Sequence, residues 1–146
     1  MKSFAALWER LDRSPKTSAK VAALAEYFAA APPEDAAWAL AYLLGERPKR
    51  LIPSARLREW ASDIAEIPPW LFEECDAAVG DLAETLSLLI APWAGDAVPS
   101  DDRGLAWWIE HRILPLPDLD AEQQRELVVG SWRGLTPTER FLWNNL

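Results

Sequence analysis

Pro32-Pro-Glu-Asp-Ala-Ala-Trp-Ala-Leu-Ala-Tyr-Leu-Leu-Gly45 is the stretch on which the fold turns. A proline pair pre-sets the backbone of a first helical turn, and a glycine after the last leucine suits a helix end. Between them, residues 36–44 form the longest unbroken apolar run of the chain, nine residues. A membrane span needs roughly 20, so the run reads as a buried helix of a soluble domain.

The composition extends that reading to the whole chain. Ala and Leu supply 45 of 146 residues, whereas Val, Ile and Thr together supply 15. Ala and Leu lose little on entering a helix; the β-branched types lose rotamer freedom there and suit strands better. Six Gly and twelve Pro fall between apolar-periodic blocks rather than inside them. The expected fold is all-α: one compact domain of eight or nine helices spanning residues 1–146. Half of the residues are hydrophobic, which excludes disorder, and the lone Cys75 excludes a disulfide scaffold.

Helix signals recur along the chain. Phe4, Leu7, Trp8 and Leu11 share a helical face that stops near Ser14-Pro15. Thr17 or Ser18 caps a second helix and Ser54 a fourth. Pro68-Pro69 starts a fifth that ends at Gly80, and Asp81-Leu-Ala-Glu84 has capping-box spacing for a sixth, running to about Ile90. Residues 91–102, with Pro92, Gly95 and Pro99, are expected to be the least ordered. A seventh helix covers about 104–114; Asp120 with Gln123 and Thr136 with Glu139 box the eighth and ninth. The ninth has barely begun at Leu146, which points to a piece of a longer protein. Of nine Trp, periodicity assigns Trp8, Trp38, Trp60 and Trp108 to the core. Trp70, Trp93, Trp107, Trp132 and Trp143 are not placed, and one or two of them are candidates for an interface.

No catalytic or metal-binding set is legible. One His and one Cys, 36 positions apart, do not build a transition-metal site, and His111 reads as a surface or half-buried side chain. Cys75 reads as a small core residue. No phosphate loop of the Walker or Rossmann type is present. The N-terminal region meets Glu9, Arg10 and Asp12 too early for a signal peptide, so the expected location is cytoplasmic, without a membrane partner.

Charge is unevenly placed. The net −8 divides into +3 over residues 1–60 and −11 over residues 61–146. Arg47, Lys49, Arg50, Arg56 and Arg58 face only Glu46 within residues 46–58. A basic loop entering a helix N-terminus suits phosphate, because cations neutralise it and free amides donate to it. A solvated loop with internal ion pairs accounts for the same residues equally well.

Several segments together resemble the all-helical N-terminal domain of ATP-dependent DNA ligases, particularly the bacterial type. They are Phe4-Ala-Ala-Leu-Trp8, Thr17-Ser-Ala-Lys20-Val-Ala-Ala-Leu24 with Tyr27-Phe28, and Trp38-Ala-Leu-Ala-Tyr-Leu-Leu-Gly45 with Arg47-Pro-Lys-Arg-Leu51. Ile67-Pro-Pro-Trp-Leu-Phe72, Val79-Gly-Asp-Leu-Ala-Glu84 and Glu139-Arg-Phe-Leu-Trp143 complete the order. The resemblance implies a domain that grips nicked duplex DNA without reading sequence, beside nucleotidyltransferase and OB-fold domains that seal 3′-hydroxyl/5′-phosphate nicks. It implies ATP and Mg2+ for the full enzyme and none for this piece, and roles in DNA replication, repair and recombination with accessory repair proteins as further partners. The family's Lys-x-Asp-Gly nucleophile motif begins at none of Lys2, Lys16, Lys20 or Lys49. By the same resemblance the DNA contacts would be Lys16, Lys20, Arg47, Lys49 and Arg50, then Arg56 and Arg58, Gly80 at a turn, and Arg140, Asn144 and Asn145 near the end. Asp81 would cap rather than touch phosphate. The competing expectation is an acidic, Trp-rich protein-interaction module without DNA affinity.

Overall fold

The computed structural model describes residues 1–46, 48, 51–95 and 102–146. Its elements are α1 (Lys2–Arg13), α2 (Thr17–Ala30), α3 (Pro33–Leu43), α4 (Ser54–Ala65), α5 (Pro69–Val79), α6 (Leu82–Ala94), α7 (Leu105–Arg112), a 3-10 turn at Leu116–Asp118, α8 (Ala121–Arg133) and α9 (Pro137–Asn145). Among the described residues there is no strand, as the composition leads one to expect.

The central helix is α6, which packs on α4, α5, α8 and α9. Leu86 and Ile90, one turn apart, are fully buried on it, with Ala83 and Thr85 beside them. Around that axis, α1 pairs with α2 and α9, and α3 with α7. A chain of rings joins the outer elements. Phe4 meets Tyr42 edge-on at 5.4 Å, and Trp8 bridges Tyr42 at 5.9 Å and Phe141 at 6.1 Å. Such pairs prefer these tilted geometries, which keep negative ring faces apart.

The quoted stretch forms the expected helix between its proline and glycine signals, but only Ala39 and Tyr42 on it are buried. Leu40 and Leu44 are exposed, so it is a half-exposed helix rather than a buried one. After α3, Gly45 lies at φ 81°, its N–H bonded to the Tyr42 carbonyl and that of Glu46 to the Ala41 carbonyl. This pair of bonds satisfies carbonyls the helix end would otherwise leave open. The boxes of α8 and α9 form completely, whereas Asp81 accepts from the Glu84 amide without the reciprocal bond.

Four expectations are corrected. Lys16 and Pro53 occupy the positions before α2 and α4, so Thr17 and Ser54 lie inside those helices rather than capping them. Helix α6 continues past Ile90 through Pro92 to Ala94, so residues 91–94 are ordered; residues 96–101 lie outside the described set. Pro92 falls in the last turn, and the Leu88 carbonyl it leaves without a helical donor belongs to an exposed residue. Trp132 and Trp143 are core, while Trp8 and Trp38 are only half-buried. Cys75 is half-buried and free rather than core.

Candidate nucleic-acid interface

Two separate edges carry the residues expected to meet phosphate. The first is the corner between α1 and α2. Lys16 is the extended residue that precedes α2, and Lys20 lies one turn along it. Both are exposed, and neither makes an ion pair among the described residues. Their neighbours are already committed: Arg10 pairs with Glu26 at 2.8 Å and Arg13 with Glu9 at 3.4 Å. No side chain caps α2, so its first amides have no side-chain acceptor at the helix start that Lys16 precedes and Lys20 follows. That combination attracts phosphate through both dipole and charge.

The second edge surrounds a cavity of about 310 Å3. Pro48, Leu51 and Ile52 line it together with Asp81 and Leu82 at the start of α6 and Asn144 at the end of α9. Three segments distant in sequence thus meet at one place. Arg47, Lys49 and Arg50 interleave with the first of them and lie outside the described residues. Gly80 is exposed at φ 81° with open space where a side chain would stand, so backbone approach is unobstructed. Its own N–H, however, donates to the Asp76 carbonyl at 2.8 Å, which removes it as a phosphate donor. Asp81 caps α6, as its position in the sequence implies.

Arg56 and Arg58 are not brought together. Two residues apart on α4, they point roughly 200° apart around the helix. Arg56 is exposed and bonds the neutral Gln124 Oε1 at 2.8 Å, keeping its charge available. Arg58 reaches Asp76 at 2.7 Å, and the Thr85 hydroxyl donates to the same carboxylate at 3.2 Å. Arg58 therefore ties α4 to α5 and α6.

Two further candidates are corrected outright. Arg140 is 2 % exposed, and its guanidinium donates to three backbone carbonyls: Trp132 at 3.1 Å, Ser87 at 3.2 Å and Leu135 at 3.0 Å. Burial lowers its pKa from the ordinary arginine value. It pins α9 to α6 and α8 and is turned away from solvent. Asn144 accepts from the Trp132 indole at 2.8 Å and donates to the Ala83 carbonyl at 3.4 Å, so its amide is engaged at both ends.

Sequence reading missed one group. Arg103, Trp107 and His111, four residues apart, stack as they would along a helix face, and Arg112 stands beside them. The spacing was the signal; reading His111 as an isolated side chain hid it.

Among the described residues no three His, Cys, Asp or Glu side chains gather as metal ligands. No described helix is long and apolar enough to cross a membrane.

The family model described as DNA ligase N terminus matches residues 1–146, the whole chain. The chain belongs to the DNA ligase N-terminal family. Membership implies DNA and other ligase domains as the partners of this ligase domain. No curated protein and no solved structure matches it.

Proposed function

We propose that this ligase domain holds nicked duplex DNA by its phosphate backbone, without reading sequence, for an ATP-dependent ligase. The observation that carries the reading is the family match along all 146 residues. Lys16 and Lys20, exposed at an uncapped helix start, supply the physical means. The acidic total does not oppose it, because charges beyond about 8 Å are screened at physiological salt while a local cationic edge still acts. ATP and Mg2+ would be handled by nucleotidyltransferase and OB-fold domains of the whole enzyme, which would work in the cytoplasm on replication, repair or recombination nicks. Arg47, Lys49 and Arg50 would contact phosphate from the 46–53 connector.

The test is titration of a labelled nicked duplex into wild type and an Arg47→Ala/Lys49→Ala/Arg50→Ala variant at several salt concentrations. The expected result is weaker binding by the variant and a shallower salt slope, by about 0.9 for each phosphate no longer neutralised. Unchanged affinity would remove the connector from the interface.

A protein-contact role has support of its own on another face. Trp70 on α5 is 65 % exposed, with Glu73 and Glu74 following at helical spacing on the same side. A neighbouring ligase domain or an accessory repair protein with a basic surface would fit there.

A further inference from the structure

The longest cation-free stretch of the chain runs from Glu59 to Asp102. Those 44 residues hold eleven Asp and Glu and no Lys, Arg or His. Among the described residues, cations from outside the stretch reach Asp76 from Arg58, Asp63 from Arg125 and Asp102 from Lys2. Glu73 and Glu74, on α5, have no cationic partner among the described residues.

The same helix carries Trp70, the one exposed tryptophan of the nine. Helix α5 packs on α4 and α6 and buries Phe72. Trp70, Glu73, Glu74 and Ala77 follow i, i+3, i+4 and i+7 spacing on another side, and all four are exposed. Glu73 and Ala77 also line an open hollow of about 500 Å3 with Arg58, Asp76, Gly80 and Leu82. A large exposed ring with a polar rim has the anatomy of an interface anchor, a role in which Trp is enriched.

We infer that this stripe of α5 docks a basic amphipathic helix of a separate protein, which sets an apolar side chain against Trp70 and Lys or Arg against Glu73 and Glu74. The inference rests on the protein-contact reading of α5 given above and commits it to one occupant. A helix laid along α5 repeats its spacing, and the small side chain of Ala77 permits close approach. Charge complementarity selects a cationic partner. It also selects one that arrives by diffusion, because a field of one sign speeds encounter. A domain tethered at roughly millimolar effective concentration gains little from such steering. A second copy of the chain, itself at net −8, meets overall repulsion.

The probe is a fluorescein-labelled synthetic peptide with Leu and Lys at helical spacing, titrated by anisotropy at low and moderate salt. Wild type is compared with Trp70→Ala and Glu73→Gln/Glu74→Gln. Glu122→Gln/Glu126→Gln, on exposed positions of α8, makes the same change of net charge elsewhere. Circular dichroism confirms that each variant is folded. Trp70→Ala is expected to weaken peptide binding about thirtyfold, the size of a hot-spot truncation. The α5 glutamine pair should weaken it about tenfold at low salt and less as salt rises, and the α8 pair by no more than about twofold. Nicked-duplex affinity should be the same in Trp70→Ala as in wild type.

Equal weakening by the two glutamine pairs, with Trp70→Ala unchanged, overturns the α5 site and leaves a diffuse acidic protein contact standing. No peptide binding by wild type at low salt overturns both. Loss of duplex affinity in Trp70→Ala would reassign the stripe to DNA. Self-association in sedimentation that Trp70→Ala abolishes would assign it to a second copy. Protection of residues 69–79 from hydrogen exchange in the whole ligase, without peptide, would assign it to a tethered domain. Each of these three results overturns the separate partner.

Discussion

The guanidinium of Arg140 on α9 donates to the backbone carbonyl of Ser87 on α6, 3.2 Å away and shielded from solvent. Its other two bonds reach the end of α8 and the loop after it, so one side chain closes three elements together. Truncation would leave three carbonyls without this donor. Arg140→Ala is expected to cost at least about 2–3 kcal/mol, since buried groups lose charge-assisted hydrogen bonds and are left unsatisfied. Arg140→Lys should recover only part of it, because an ammonium lacks the planar fork. Urea unfolding monitored by circular dichroism measures both; a loss under about 1 kcal/mol would contradict the assignment.

Tyr27 gives the fold an alkaline limit. Burial, with a smaller contribution from the negative charge of Asp35, pushes its phenol up to about 12. In the unfolded chain it ionises near 10, so between pH 10 and 12 the unfolded state releases a proton that the folded state keeps. Stability is fully present below pH 10 and falls as pH rises through that window, by about 2–3 kcal/mol from this group. Tyr27→Phe should flatten the decline; an equally steep loss in the variant would exclude Tyr27 as its source.

Glu66 ends α4 at φ 55°, the one non-glycine residue among those described with a left-handed backbone. Its Cβ crowds the following carbonyl there, a strain of about 1–2 kcal/mol that glycine avoids, partly offset by the greater freedom glycine gives the unfolded chain. Glu66→Gly is therefore expected to stabilise by roughly 0.5–1 kcal/mol and to raise the melting temperature by about 1–4 °C. A lower melting temperature would show that the carboxylate has a role the backbone does not reveal.

Asp35 on α3 caps α7 from across the fold. Its Oδ1 accepts from the Ala106 amide at 2.8 Å, in place of a side chain from Gly104, the residue at the cap position. A Cβ on Gly104 would collide with that carboxylate. Asp35→Ala should cost about 1 kcal/mol, typical of a helix deprived of its cap. Gly104→Ala should cost at least as much, and the double variant less than the sum, because both remove the same interaction. Additive losses in denaturant titrations would contradict the shared cause.

Helix starts and stops were legible where a local residue makes the bond. Pro33, Asp120 and Thr136 act within one turn of themselves, so their sequence context contains the whole interaction. Exposure was less legible, since it depends on what packs from elsewhere. Trp132 is buried in the core, and Asn144, twelve residues on, accepts the N–H that burial would otherwise leave unpaired. Arg140 reads as a surface cation only until the carbonyls of Ser87 and Leu135 are placed around it. Arg58 likewise joins the basic cluster in sequence but belongs to Asp76 in space. Lys16 and Lys20 kept their expected exposure because no carboxylate among the described residues draws them in.

The most direct measurement of the central claim is the equilibrium affinity of the 146-residue chain for two nicked duplexes of unrelated sequence, followed by fluorescence anisotropy as salt is raised. The account predicts equal affinity for both sequences and a linear fall of log affinity with log salt, as backbone recognition through a few cations requires. Absence of binding at low salt, or a strong preference for one sequence, would contradict it.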